Sequence, residues 1–257
     1  MAHNGAPEPL TDSGPGTPKG AQMPARLRHL RRVVGLVPGR PRRAVMPMLL
    51  ALSAAAAIAA APVGAAPVDG RELYFSAGYE RQVDSRTCTA AATAMMMNFI
   101  ARRDLNLNQM SILRFEQSRD ALNNAVQRGS DPLGWSRAAT VFSAYTGRPT
   151  TYLWETYDSE SAALQRAARL LARTGKPVGL LVNRGTHAVV MTGYTASRSP
   201  LRGQFTLLTV AISDPSGSRH YWVSAPYSPL DRYTQMDATT TYDRLWYGKF
   251  IIVAPQD

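Results

Sequence analysis

Apolar and polar positions follow two rhythms along this chain of 257 residues, and the change falls after Gly175. Between Ser159 and Thr174, Leu164, Ala167, Ala168 and Leu171 recur at the spacing of one helix face. Ser159 suits an N-cap, Glu160 the first turn, and Gly175 with Lys176-Pro177 a stop. A helix is therefore expected there, with Arg166, Arg169 and Arg173 on a solvated face. Upstream, Ala- and Met-rich sequence from Cys88 predicts a helix to Arg102 or Arg103, its methionines in the core. Two polar helical fragments follow, at 108–117 and 120–128. Asp131-Pro132-Leu133-Gly134 reads as a turn, and Trp135 to Tyr145 as a short helix ended by Gly147. Beyond Gly175 the pattern is that of strands: Val178 to Val182, His187 to Tyr194, Phe205 to Ile212, Tyr221 to Val223 and Lys249 to Val253. Helices first and antiparallel-looking strands later predict an α+β domain over residues 68–257.

The first 67 residues have a different texture. Residues 1–43 are expected to form a disordered basic tail, its beginning rich in Gly, Pro, Ala and Ser. Eight Lys or Arg and two acids fall in it, so it carries +6 of the chain's net charge of +11. The high net charge thus does not argue for nucleic acid as a partner, and no basic face interleaved with aromatics stands out elsewhere. Residues 44–66 contain no charge and are apolar enough for a signal peptide or a single membrane anchor. Val63-Gly64-Ala65 offers a cleavage site before Ala66. With Arg40, Arg42 and Arg43 at its start, the segment should leave the basic flank in the cytoplasm and export the C-terminal domain. That domain is then secreted, or held to a membrane if the segment is uncleaved.

Export changes the reading of Cys88, the only cysteine. Exported proteins usually pair their cysteines, so a lone one joins another chain, lies buried as a small hydrophobe, or reacts. Cys88 follows Asp84, Ser85, Arg86 and Thr87, with Asp and Ser as natural caps, which puts the thiol at a helix N-terminus. Unpaired N–H groups and the positive end of the helix dipole favour thiolate there. The domain has two histidines, His187 and His220. His187 opens an apolar strand after Asn183-Arg184-Gly185-Thr186, and Asp214-Pro215 closes the next long apolar strand, Phe205 to Ile212. If those two strands are antiparallel neighbours, His187 and Asp214 meet at one end of the sheet. Thiol attack needs such a set: a base for the proton, a carboxylate to orient it, and a donor for the oxyanion. Gln82, six residues before Cys88, can supply that donor. One cysteine and scattered histidines lack metal-ligand spacing, and no cofactor is expected.

The order Gln82, Cys88 on a helix, His187 opening a strand and Asp214-Pro215 closing another resembles the papain-like cysteine peptidases. Within them it is similar to the double-glycine-leader, or bacteriocin-processing, peptidases and their freestanding exported relatives. Gly175 to Tyr194 and Tyr242 to Val253 carry the likeness, which spans about residues 78–253. Thr89-Ala90 stand where those peptidases usually have Gly and often Pro. The resemblance implies a helical half bearing the nucleophile helix, packed on a C-terminal antiparallel sheet. It implies Cys88 as nucleophile, His187 as base and acid, Asp214 as orienter, Gln82 in the oxyanion hole, and a peptide or protein substrate. Two alternatives stay open: a papain-like domain binding peptide or cell-envelope ligands without turnover, and a related acyl transferase. Oligomeric state is not legible.

Overall fold

The computed structural model describes residues 68–121, 129–217, 219–224, 230–234 and 241–256. The expected tail at 1–43 and apolar segment at 44–66 lie outside these residues, as does most of the fragment at 120–128. In order the elements are β1 (Asp69–Glu72), α1 (Cys88–Ala101), α2 (Gln109–Gln117), α3 (Pro132–Phe142), β2 (Tyr152–Tyr157), α4 (Glu160–Thr174), β3 (Val178–Val182), β4 (His187–Ala196), β5 (Leu207–Asp214), β6 (Arg219–Ser224), α5 (Thr241–Trp246) and β7 (Phe250–Pro255). The class is α+β, with an antiparallel sheet ordered β2-β7-β3-β4-β5-β6. Strand β4 is long enough to pair β3 along its first half and β1 along its second.

Alternation along the strands sends two sets of side chains to opposite faces of the sheet. Leu180, Val189, Met191, Ile212 and Ile252 meet Leu164, Ala167 and Leu171 of α4. Leu181, Ala188, Val190, Ile251 and Val253 meet Met95, Met96 and Phe99 of α1 and Trp135 of α3. Helix α1 is buried almost throughout, which is why its sequence shows no amphipathic period. Ala90 and Ala94 allow α2 and α3 to approach it closely, through Ile112, Leu113 and Ala138. The methionines at 95, 96 and 97 are fully buried, as expected for core.

Helix α4 begins and ends where its caps predicted: Ser159 Oγ accepts from Ala162 N–H, and Gly175 takes the left-handed conformation at φ 67°. The solvated-arginine reading of this helix holds for the exposed Arg173 and needs correcting for Arg166 and Arg169. Arg166 makes a bidentate ion pair with Glu155 of β2, at 3.0 and 3.1 Å, and the Arg169 guanidinium lies 5.3 Å over the Phe205 ring. The turn read at 131–134 is also corrected. Asp131 is the N-cap of α3, its Oδ1 accepting from Gly134 N–H, and Pro132 occupies the first turn, where its missing N–H costs nothing. Strand β5 starts two residues later than expected and reaches Asp214; β7 begins at Phe250 and runs to Pro255. Strands β1 and β2 and helix α5 had no clear signal.

Candidate functional site

The expected caps of α1 do not act as caps. Asp84 turns back on Arg86, its Oδ1 accepting from Arg86 N–H at 2.8 Å. Thr87 holds the N-cap position, yet its hydroxyl faces the preceding loop, accepting from Val83 and Asp84 N–H at 3.1 Å and donating to Asp84 O at 3.0 Å. No side chain therefore caps the helix, and Cys88 is its first residue. An N-terminus so left keeps its first-turn N–H groups and positive dipole end beside the thiol.

His187 and Asp214 reach this point from the sheet. Ser213 lies opposite Val190 and Val182 opposite His187, so the start of β4 and the end of β5 share one end of the sheet. His187 Nε2 and Asp214 Oδ1 are 2.8 Å apart. With Nε2 so occupied, Nδ1 is the nitrogen left for Cys88, whose interaction with the ring helps to raise the imidazole's pKa. Asp214 is held from several sides: Oδ1 also accepts from Ser216 N–H at 2.8 Å and Ser216 Oγ at 2.7 Å, and its backbone carbonyl accepts from the Tyr79 hydroxyl at 2.8 Å. Cys88 is 6% exposed, and both partner side chains are largely buried.

Burial works against charge on the imidazole, but hydrogen bonds to Asp214 and Cys88 and their negative charges outweigh it, pushing His187 up to about 9. Burial likewise raises Asp214, while bonds from His187 and Ser216 draw it below its ordinary value. The signs give opposite windows. The His187 contribution to stability is complete below about 6.5, its ordinary value, and is lost as pH rises through about 9. The Asp214 contribution is present above its ordinary 3.8 and is lost on acidification.

Gln82 is tied to the same corner, its N–H donating to Pro215 O at 2.9 Å. Its Nε2 donates one hydrogen to Asp84 O at 2.8 Å, leaving the second available, and Oε1 is buried with no hydrogen-bond partner. The loop that carries it is set by a residue the sequence did not single out. Gln109 on α2 accepts from Val83 N–H with Oε1 at 3.1 Å and donates from Nε2 to Arg81 O at 2.8 Å. A glutamine in a polar helix carries no signal of such a role. His220, the other histidine, is elsewhere engaged: it stacks on Tyr74, with ring centroids 3.9 Å apart, and bonds Glu72 at 2.7 Å.

Thr89 is turned towards α2, where its hydroxyl donates to Glu116 Oε2 at 2.6 Å; Thr93 donates to Oε1 at 3.3 Å. Glu116 is fully buried. Burial, with the charges of Asp120 and Asp131, pushes it up to about 8 against the opposing bonds from Thr89 and Thr93. Between 4.5, its ordinary value, and about 8 the folded chain thus keeps a proton that the unfolded chain has lost, so this group makes stability fall as pH rises. Glu116→Gln keeps an acceptor for Thr89 without the titration. Urea unfolding should find the variant within about 1 kcal/mol of wild type at pH 5 and more stable by a further ~3 kcal/mol at pH 8. Identical pH dependence in the two proteins would contradict this assignment.

Among the described residues no group of three His, Cys, Asp or Glu is placed to hold a metal ion, and no helix is long and apolar enough to cross a membrane. Comparison with known families finds no model that matches the chain, and comparison with curated proteins finds no significant match.

Proposed function

We propose that the protein is an exported cysteine-dependent hydrolase of the papain-like kind that cleaves a peptide or amide bond in a peptide or protein substrate. The observation that carries this reading is the set Cys88, His187 and Asp214: a thiol at an uncapped helix N-terminus, an imidazole whose pKa that thiol helps to raise, and a carboxylate 2.8 Å from the imidazole. Thiol attack needs a base and gains from a group that orients it; a merely structural cysteine needs neither.

In the proposed reaction Sγ of Cys88, its proton held by His187, attacks the substrate carbonyl carbon. The oxyanion so formed accepts from the Cys88 backbone N–H and the free hydrogen on Gln82 Nε2. Collapse breaks the C–N bond as His187 protonates the departing amine, leaving a thioester on Cys88. His187 then takes a proton from water, whose oxygen attacks the thioester and releases the acid. Asp214 keeps the imidazole in one orientation throughout.

The test is the alkylation rate of Cys88 by iodoacetamide against pH. At pH 6.5 the reaction should be about 10- to 100-fold slower in His187→Ala than in wild type and unchanged in His220→Ala. A rate indifferent to His187 would sink the hydrolase reading and leave a domain that binds ligands without turnover.

A further inference from the structure

Away from the thiol, the far edge of the sheet is open. Strand β2 pairs β7, and among the described residues no strand covers its other side. Tyr152 lies opposite Pro255, and Thr151 O accepts from Gln256 N–H at 2.8 Å. By antiparallel alternation, positions 151, 153, 155 and 157 direct their backbone groups to β7, and 152, 154 and 156 direct theirs outward. Helix α3 occupies the first outward position: Thr140 Oγ1 accepts from Tyr152 N–H at 2.8 Å, and its one hydrogen is shared between Ser136 O at 2.9 Å and Tyr152 O at 3.1 Å. Trp154 and Thr156 continue the outward row past that point.

Beside this edge, between α3 and β2, runs a groove of about 710 Å³. Phe115, Leu133, Val141 and Leu153 give it apolar walls, and Val141 and Leu153 are 48% and 50% exposed. Among the described residues its charged lining is Arg119 and Arg137, with no acid. Among the described residues neither arginine has an ion-pair partner. Each is nonetheless held in place: the Arg119 guanidinium lies 5.6 Å over the Phe115 ring, and Arg137 Nη1 donates to Arg119 O at 3.2 Å. An open backbone row, apolar walls and two uncompensated cations are what an extended acidic peptide needs for main-chain pairing, side-chain burial and charge.

We propose that the groove between α3 and the edge of β2 binds an extended, carboxylate-bearing peptide, which joins the sheet as a strand beside Trp154 and Thr156. A second copy of the chain fits less well, since it presents the same two arginines. The inference is independent of the chemistry at Cys88.

The full chain carrying Cys88→Ala, which prevents turnover, is titrated into a fluorescein-labelled Glu-Val-Glu-Val-Glu-Val peptide and followed by anisotropy. Binding should weaken about 10-fold or more when Arg119→Glu and Arg137→Glu are combined. Thr156→Pro, which removes an outward N–H without touching the pairing to β7, should weaken it comparably. A peptide N-methylated at alternate residues, which requires no change in the protein, should also bind about 10-fold more weakly. Hydrogen exchange should slow at the Trp154 and Thr156 amides when the peptide is added. The proposal is overturned if Lys-Val-Lys-Val-Lys-Val binds as well, if N-methylation has no effect, or if the charge reversals leave affinity unchanged. Protection of those amides that grows with protein concentration in the absence of peptide would assign the edge to self-association and overturn it too.

Discussion

Cys88→Ala is expected to lower cleavage of a quenched fluorescent peptide library at pH 7 by at least ~10³-fold, with the circular dichroism spectrum unchanged. The proposed reaction routes every bond change through Sγ, and alanine leaves no nucleophile. The fold should tolerate the change because the loss is one sulfur atom at 6% exposure, on the first turn of a helix held by Met95, Met96 and Phe99 further along. His187→Ala should reach a similar floor, because without the imidazole nothing holds the thiol proton or donates to the leaving amine. The two losses should not add, since groups acting in one step fail together. Asp214→Ala should retain more activity than His187→Ala, since Asp214 orients the ring and does not touch the substrate. Full cleavage by Cys88→Ala would remove the hydrolase reading altogether. A double variant far slower than Cys88→Ala would show that the two residues act in separate steps.

The second large effect lies under the site. Trp135 is fully buried between α1 and the sheet, and its indole occupies space that only a glycine at 179 leaves open. A Cβ at Gly179 would come within 2.5 Å of Trp135 Cζ2 and Cη2. Trp135→Ala should therefore cost about 3–5 kcal/mol in urea unfolding at pH 7, by loss of the ring and by the cavity left behind. Gly179→Ala should cost about 1–3 kcal/mol by crowding, and at least ~1 kcal/mol less in a Trp135→Leu background, where the clash is gone. Additive costs would show that the ring and the glycine do not share this space.

Both effects depend on pairs of residues far apart in the chain, and this separates what could be read from the sequence from what could not. The period of α4, its Ser159 cap and its Gly175 stop are local properties, set by neighbours within a turn or two, and the sequence alone determined them. The same holds for β3, the hairpin into β4, and the positions of Cys88, His187 and Asp214 at the ends of their elements. Strand β1, reading Asp69-Gly70-Arg71-Glu72, has no alternation to announce it, and β2 exists because β7, about a hundred residues later, pairs with it. Asp84 and Ser85 looked like caps, yet no side chain caps α1, because Asp84 turns back on Arg86 and the Thr87 hydroxyl is spent on the loop that Gln109 holds. The tertiary structure alone decided that Arg166 pairs with Glu155, that Ser216 and Tyr79 fix Asp214, and that Glu116, its pKa raised by burial, sits against the helix of Cys88. The physical reason is common to them all. A polar side chain states what bonds it can make, but which partner it meets, and whether water is excluded there, is set by packing between segments that the sequence keeps far apart.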